Sequence, residues 1–277
     1  MTETVRSMIW KGSLTVEVSL IASETVQSIV PKLYIKVLRN GYFPMYYEQM
    51  IQFFQSYCES EIQFKNVWLE YEEVPLKWNY TIGMLYDYVM GLDGSNHSLW
   101  KLSVHVSDYP QDYLLPLQSL DTLKSYWMNS IKESCFITYN SAKKIMNLSR
   151  EESNNLWDFA RAGNYEGFKK IYYKKIVPQS SAEVRRVPVK VYLPYSNKNI
   201  IIREPISPRN GTGDVVTLHE LLEKCLPDLF SQAPNKKDLG IAMVQGASVP
   251  TQAPLWEAFE CLGTIDGFLH VVVVVDL

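Results

Sequence analysis

Cysteine and histidine are scarce in this 277-residue chain, which has four of each. The cysteines are far apart, with no C-x-x-C pair and no histidine at ligand spacing: Cys58, Cys135, Cys225 and Cys261. This distribution argues against a zinc site, and a chain of this length needs no disulfide framework to fold. We therefore expect a reduced, cytosolic protein without a bound metal.

Long apolar runs are also missing. No stretch approaches the roughly 20 apolar residues of a transmembrane helix. Met1–Trp10 carries Glu3 and Arg6 and has no apolar stretch of signal-peptide length. A net charge of −3 creates no overall field that attracts nucleic acid or anionic lipid. We expect no nucleic-acid partner, and any membrane contact has to be local.

Signatures of catalysis are absent too: the chain has no G-x-S-x-G and no H-E-x-x-H motif. Gly211-x-Gly213 precedes a predicted helix, but Val216 occupies the third glycine position and no strand leads into it. We interpret this segment as a flexible loop and not as a phosphate site. The expectation is a non-catalytic protein with no cofactor.

Several isolated ionisable residues also have a structural interpretation. His105 and His270 lie in corresponding predicted strands and are interpreted as edge or pocket residues, not as a catalytic pair. Asp87, Glu70 and Glu72 suggest acid–base chemistry, but a solvated surface is the preferred interpretation because carboxylates are mostly exposed.

The composition is that of a globular protein. Hydrophobic residues make up 47% and aromatic residues 13% of the chain, enough to fill several small cores. The length suits two or three domains.

The first hundred residues alternate between strand and helix patterns. The predicted elements are two strands, a helix opened by Pro44, a strand, a short helix after Thr81 and a final strand: Ile9–Leu20, Lys32–Arg39, Pro44–Cys58, Asn66–Tyr71, Ile82–Val89 and Trp100–Val106. A tight Pro75-containing turn separates the third strand from the short helix. This order is that of a ubiquitin-like β-grasp.

A second, weaker copy follows near the C-terminus. A predicted hairpin, Val187–Tyr195 with Asn199–Glu204, is followed by a helix that begins at the capping box Thr217-x-x-Glu220. The segment Ile241–Gln245, a second helix at Pro254–Leu262 and a valine-rich strand at Leu269–Val275 come next. The valine run does not alternate, so we expect a central strand covered on both faces.

A helical segment, Leu120–Ile176, separates the two copies. One face of its first helix is apolar and the opposite face is polar: Leu120, Leu123, Trp127 and Ile131 against Asp121, Ser125, Asn129 and Lys132. Ser149-x-x-Glu152 is a further capping box. The predicted fold is α+β, with two ubiquitin-like β-grasp domains, 1–107 and 184–277, flanking a helix-rich domain and linker, 108–183.

A basic cluster follows in the helical segment: Lys169, Lys170, Lys174 and Lys175. Such a cluster can meet an anionic membrane or an acidic partner, with each basic residue contributing about 1 kcal/mol near an anionic surface. A solvated helix face is the preferred interpretation. The chain also ends in Asp276–Leu277, without the terminal glycine that a ubiquitin-like modifier requires, so we do not expect it to be a modifier itself.

The segment Glu70–Gly83, EYEEVPLKWNYTIG, closely resembles the hallmark segment of the autophagy protein 5 family. The resemblance extends to Trp10–Gly12, Met128–Glu133 and Phe268–Val271, in the right order along the chain. One departure is Ser13–Thr15, where the family often has a proline. The resemblance implies two ubiquitin-like domains flanking a helix-rich domain.

The resemblance also implies that one lysine accepts the C-terminal glycine of autophagy protein 12 through an isopeptide bond, delivered by the conjugating enzymes of that modifier. The M-x-x-x-K-E match places this lysine at Lys132, which by spacing alone is one of many lysines on polar helix faces. The implied conjugate binds a helix of autophagy protein 16 and acts as a ligase-like factor that attaches autophagy protein 8 to phosphatidylethanolamine. The implied location is the cytoplasm and, peripherally, the preautophagosomal membrane.

Trp78 and Tyr80 are candidates for a groove that binds the partner helix, although the first core is the preferred interpretation. Two other functions stay open. One is a β-grasp adaptor that works unconjugated, binding membrane or protein partners through the basic helix. The other, with the least support, is an enzyme with a site at a domain interface.

Overall fold

The computed structural model describes residues 2–91, 99–194, 200–202, 205–231 and 238–275. By the proximity of their Cα atoms, the residues divide into two compact units. The first unit is Met1–Lys11, Tyr86–Gly94 and Trp127–Leu277, and the second is Gly12–Leu85 and Ser95–Tyr126. Each unit contains one five-stranded sheet.

A helix, α1 (Thr2–Lys11), precedes the first strand. The sequence predicted a strand from Ile9, and that prediction is wrong for its first four residues: Ile9–Lys11 are helical, and Gly12 lies between the helix and the strand. The indole N–H of buried Trp10 donates to the carbonyl of Gly163 at 2.8 Å, and its ring centroid lies 4.7 Å from that of Phe168. This tertiary contact outweighs the local strand propensity.

Five strands form the mixed sheet of the second unit. In chain order, β1 to β5 are Ser13–Leu20, Leu33–Leu38, Trp68–Tyr71, Val74–Pro75 and Trp100–His105. They lie in the order β2-β1-β5-β3-β4, and β5 runs parallel to β1 with Val16 opposite Trp100. Val16, Val18 and Leu20 alternate toward the core, as the period of two predicts.

One helix of this unit, α2 (Tyr47–Phe54), is entered through a 3₁₀ turn that contains Pro44. Proline fits a first helical turn because its missing N–H has no intrahelical acceptor there. The buried side chains of α2 are Tyr47, Met50 and Phe54. The predicted helix Pro44–Cys58 is shorter in the structure, where α2 ends at Phe54 and a 3₁₀ turn at Gln55–Tyr57 follows it.

The hallmark segment forms a tight hairpin followed by a helix. Glu72 and Glu73 join β3 to β4 with φ values of 49° and 65°, the left-handed conformation that a two-residue type I′ turn requires. The sequence predicted Pro75 within the turn, and that prediction is wrong. Pro75 lies in the edge strand β4 opposite Glu70, where a missing N–H is tolerated. The helix α3 (Ile82–Met90) follows.

The helical segment contains α4 to α7, at Leu120–Tyr139, Lys143–Met146, Arg150–Arg161 and Tyr165–Ile171. The capping box before α6 is confirmed, because Ser149 Oγ accepts the N–H of Glu152 and the Glu152 carboxylate accepts the N–H of Ser149. Asn164 caps α7, as its side-chain oxygen accepts the N–H of Gly167 at 3.0 Å. A π-helical turn at Tyr172–Ile176 follows α7.

The sheet of the first unit repeats the topology of the other sheet. Its strands β6 to β10 are Val189–Leu193, Ile200–Ile202, Gly240–Val244, Ala247–Ser248 and Leu269–Val275. Their order is β7-β6-β10-β8-β9, with β10 parallel to β6 and Leu269 opposite Val189. Gln245 and Gly246 join β8 to β9 with φ values of 54° and 80°, the counterpart of the Glu72–Glu73 turn.

Two helices, α8 (Leu218–Cys225) and α9 (Leu255–Leu262), pack on one face of this sheet. The predicted capping box is confirmed, since Thr217 Oγ1 accepts the N–H of Glu220 at 3.2 Å. Consecutive valines of β10 are buried, so both faces of this central strand are covered as predicted: Val271, Val272 and Val273.

The predicted fold class is confirmed: two ubiquitin-like sheets occur in one chain, separated in sequence by helices. The domain boundaries at 107/108 and 183/184 stay a prediction. Three predicted features lie outside the described residues: most of the loop Gly91–Ser98, the turn Ser196–Lys198 and the C-terminal Asp276–Leu277.

Candidate functional site

Helix α4 has one buried face and one exposed face. Three side chains of its apolar stripe have no exposed surface: Leu123, Trp127 and Ile131. The predicted polar positions on the other side are all exposed: Asp121, Ser125, Asn129 and Lys132. The apolar stripe recurs at four-residue spacing, which places these residues on one side of the helix.

Lys132 lies on the exposed face, in the middle of α4. Its Nζ is 3.4 Å from Oδ1 of Asn129, one turn earlier, a distance at the weak end of hydrogen bonding. One turn later, Phe136 is 57% exposed. The arrangement presents a solvent-accessible primary amine on a regular helix, which is suited to nucleophilic attack on an acyl group that another protein delivers.

Polar side chains on the buried side of α4 have hydrogen-bond partners, one in another segment and one within the helix. The indole N–H of Trp127 donates to the carbonyl of Ile265 at 3.1 Å, and Thr138 Oγ1 donates to the carbonyl of Ser134 at 2.8 Å. Cys135 is on this side as well, and burial raises the pKa of its thiol to about 11. The thiol is therefore protonated at neutral pH and is a poor nucleophile, in contrast to an exposed reactive cysteine.

Trp78 belongs to the core of the second unit. It is buried, its indole N–H donates to the carbonyl of Leu115 at 2.7 Å, and its ring meets that of Tyr126 edge-on at 5.5 Å. Tyr80 is half-buried. These contacts agree with the core interpretation of Trp78, and a role of Trp78 and Tyr80 in binding a partner helix stays a prediction.

The basic cluster is partly neutralised. Lys169 pairs with Glu3 of α1, and Lys175 pairs with Glu152 of α6. Lys170 and Lys174 are exposed. Two of the four charges are thus paired within the chain, which reduces the attraction of this face for an anionic surface.

The sequence predicted a solvated carboxylate at Asp87, and that prediction is wrong. The side chain is 3% exposed, and its Oδ2 accepts the N–H of Gly246 at 2.8 Å. Asp87 lies near the end of α3, among the buried positions of that helix. The polar partner, a backbone amide far away in sequence, gives no signal in the local pattern.

The two strand histidines have different surroundings. The ring of His105 stacks on Trp68 at 3.7 Å, and its Nε2 is 3.2 Å from the Glu70 carboxylate. The ring of His270 is buried, with Nε2 at 3.0 Å from Asp266 Oδ2. Within the described residues, the polar partners of the two histidines are carboxylates and the Tyr192 hydroxyl, and neither ring has a hydrogen bond to a cysteine, serine or threonine.

Asp266 is a buried ionisable residue that the sequence patterns did not indicate. Burial alone would raise the pKa of this carboxyl, but His270, Lys190 and the Thr264 hydroxyl together hold it well below its usual range. The available signal was an aspartate four residues before His270, next to Gly267. A period-two or period-3.6 pattern does not detect such a loop.

The Gly211-x-Gly213 segment is not arranged as a phosphate cradle. The backbone N–H groups of Thr212 and Asp214 donate to the side-chain oxygen of Asn210, at 3.1 and 2.9 Å. These donors are therefore already used. Across the described ranges, no cluster of three or more His, Cys, Asp or Glu side chains is placed to hold a metal ion. No helix in the described part of the chain is long and apolar enough to cross a membrane.

Family models match three consecutive regions of the chain. They are the autophagy protein ATG5 UblA domain at residues 9–106, its alpha-helical bundle region at 120–179 and its UblB domain at 186–273. Autophagy protein 5 of Debaryomyces hansenii is 37% identical over 97% of this chain and 94% of its own length. The chain belongs to the autophagy protein 5 family. Autophagy protein 5 of Pichia angusta is 32% identical, over 98% of this chain and 96% of its own length.

A solved structure of the autophagy protein 5 family supports the same fold. The crystal structure of Kluyveromyces marxianus Atg5 has a TM-score of 0.81 to this chain at 25% identity, and it covers 98% of this chain and 99% of that one. The family places this protein in autophagy. The resemblance inferred from the hallmark segment is therefore confirmed.

Proposed function

We propose that this protein is a non-catalytic autophagy scaffold that is activated by covalent conjugation of autophagy protein 12 to Lys132. The observation that carries the proposal is the position of Lys132, exposed on a helix whose opposite face is buried. Membership in the autophagy protein 5 family supports it, together with the M-x-x-x-K-E match at Met128–Glu133.

The proposed reaction is an acyl transfer from a thioester to an amine. Nζ of Lys132 attacks the carbonyl carbon of the modifier's C-terminal glycine, which is held as a thioester on a conjugating enzyme. A C–N bond forms, the C–S bond breaks, the thiol leaves and the amine loses a proton. A lysine amine in water is almost entirely protonated at pH 7, so the conjugating enzyme has to assist that proton loss. This chain supplies the nucleophile and the surface around it.

The conjugate then acts with autophagy protein 16, whose amphipathic helix binds it, as a ligase-like factor. It promotes the attachment of autophagy protein 8 to phosphatidylethanolamine during autophagosome formation. The conjugate is cytoplasmic and peripheral at the preautophagosomal membrane. Family membership supports these steps, and the two ubiquitin-like folds suit a protein that works among ubiquitin-like partners.

The test compares Lys132→Arg with a matched control, Lys143→Arg, which changes another exposed helical lysine. Arginine keeps the charge and the helix propensity but is not acylated at neutral pH. In cells that lack the endogenous protein, Lys132→Arg should abolish both the slower-migrating conjugate and the lipidation of autophagy protein 8. Lys143→Arg should retain both.

A second candidate, an adaptor that works unconjugated through its basic helix, has one observation in its favour: Lys170 and Lys174 are exposed. Normal lipidation of autophagy protein 8 in Lys132→Arg cells would support this adaptor and contradict the conjugation proposal. Replacing Lys170 and Lys174 by Glu should leave lipidation intact if conjugation is the activating step.

A further inference from the structure

The loop Thr264–Phe268, between α9 and β10, is buried and closed on itself. Thr264, Asp266 and Phe268 are each at most 5% exposed. The N–H of Thr264 donates to the carbonyl of Phe268 at 2.9 Å, and the N–H of Gly267 donates to the carbonyl of Thr264 at 3.0 Å. Gly267 has a φ of 86°, a conformation that favours glycine because a residue with a Cβ adopts it only with strain.

A chain of buried polar groups fixes this loop. Asp266 accepts hydrogen bonds from the N–H of Phe268 at 3.1 Å and from the Thr264 hydroxyl. An ionised carboxylate can only accept, so His270 donates to Asp266 through Nε2. Nδ1 of His270 lies 2.7 Å from the hydroxyl oxygen of Tyr192, which donates to it when the imidazole is neutral.

A buried positive charge completes the cluster. Nζ of Lys190 lies 3.6 Å above the ring of Phe268. The hydrogen-bonded chain Tyr192–His270–Asp266 links strand β6, strand β10 and the loop. Because these side chains are buried, breaking one of their hydrogen bonds would leave a polar group without a partner, which costs free energy.

The same loop supports α4 at two points. Ile265 accepts the indole N–H of Trp127 at 3.1 Å, and a Cβ built on Gly267 would lie only 2.1 Å from Oγ of Ser134. Trp127 and Ser134 stand five residues before and two residues after Lys132, on the buried side of the helix. The loop thus contacts α4 on both sides of the exposed lysine.

We propose that Asp266 is a positioning residue for Lys132: it holds the loop that fixes the orientation in which α4 presents the amine to the thioester-loaded conjugating enzyme. This inference rests on the proposed function and adds to it a residue remote from the surface. Acyl transfer depends on alignment of the amine with the thioester carbonyl, and a misplacement of about 1 Å can cost about a hundredfold in rate.

Two variants loosen the loop by different routes. Asp266→Asn keeps the side-chain shape but places an amide N–H₂ among groups that donate, so at least one donor loses its acceptor. Gly267→Ala leaves Asp266 in place but inserts a methyl group against Ser134 and strains the turn. Asp228→Asn, which removes an exposed carboxylate from the same unit, is the matched control.

The experiment follows single-turnover transfer of autophagy protein 12 from its conjugating enzyme to the full-length chain, at saturating enzyme and well below the unfolding temperature. Hydrogen exchange of residues 127–134 and acetylation of Lys132 by acetic anhydride are measured on the same samples. Global destabilisation alone does not change the transfer rate of molecules that remain folded, whereas misalignment does.

We expect Asp266→Asn and Gly267→Ala to slow transfer at saturation by about tenfold and to speed exchange over 127–134, with acetylation of Lys132 unchanged. The control should match the wild type. If Asp266→Asn does not fold, Tyr192→Phe, which removes one hydroxyl, is expected to slow transfer by about threefold. If these variants transfer the modifier at the wild-type rate, the positioning role is wrong and the proposed function is unaffected. If the wild-type protein is not conjugated at Lys132, the proposed function itself is wrong.

Discussion

The carboxylate of Asp87 accepts a hydrogen bond from the backbone N–H of Gly246 at 2.8 Å. Asp87 comes from α3, and Gly246 is in the β8–β9 turn, 159 residues later. Removing the carboxylate leaves this N–H without its charged acceptor, which costs about 1–3 kcal/mol. We predict that Asp87→Ala lowers the free energy of unfolding by about that amount in urea titrations.

The matched control for Asp87 is Asp228, whose side chain is exposed. Asp228→Ala should change the free energy of unfolding by less than about 0.5 kcal/mol. Asp87→Asn, which keeps a side-chain oxygen, should fall between the wild type and Asp87→Ala. Equal stabilities for Asp87→Ala and Asp228→Ala would contradict the importance of this contact.

The Glu72–Glu73 turn is strained because both residues have positive φ values and both carry a Cβ. Asn-Gly is the sequence that a type I′ turn favours. We predict that the double substitution Glu72→Asn with Glu73→Gly stabilises the protein by about 1 kcal/mol, measured as a higher urea midpoint at unchanged slope. The double substitution Glu72→Ala with Glu73→Ala removes the same two charges without relieving the backbone and should give no gain. A gain in that control would show that the effect comes from charge.

Gly83 of the hallmark segment is required for close packing. A Cβ at this position would lie 2.9 Å from Cβ of Arg39 and 3.0 Å from its carbonyl oxygen. We predict that Gly83→Ala destabilises the protein by about 1–3 kcal/mol, through overpacking. A Cβ added at Gly211 would meet no described atom within 4 Å, so Gly211→Ala is the control and should be nearly neutral. A neutral Gly83→Ala variant in thermal unfolding would show that the backbone there shifts freely.

Acid should destabilise the first unit through Asp266. The pKa of this carboxyl is held below its ordinary value of 3.8 in the folded protein. Folding therefore favours the ionised form, and the resulting stability is fully present above about pH 5 and is lost as the pH falls toward the folded-state pKa. The free energy of unfolding should decrease from about pH 5 to about pH 3, and less steeply in Asp266→Asn. Parallel pH profiles for the two proteins would exclude Asp266 as the source.

Much of the fold was predictable because its signals are local. The alternation in β1, the capping boxes at Ser149 and Thr217 and the unbroken valines of β10 each have a direct physical cause in neighbouring residues. The exposed face of α4 follows in the same way from its period, so Lys132 could be placed on a polar surface before the structure was known.

What the sequence did not predict depends on contacts between distant residues. Trp10 is helical because it packs against the Gly163–Phe168 region, and Asp87 is buried because its acceptor role is satisfied by Gly246. Asp266 was missed for a different reason: its hydrogen-bond partners are within four residues of it, but the loop that holds them has neither a helical nor a strand period. Local periodicity reveals the faces of helices and strands, whereas these polar contacts are set by tertiary structure.

The central claim is that a single exposed amine on α4 receives the modifier. Mass spectrometry of the protease-digested native conjugate tests it most directly by locating the branched peptide. We predict that the C-terminal glycine of autophagy protein 12 is joined to Nζ of Lys132. A branch at any other lysine, in particular one outside α4, would contradict the claim.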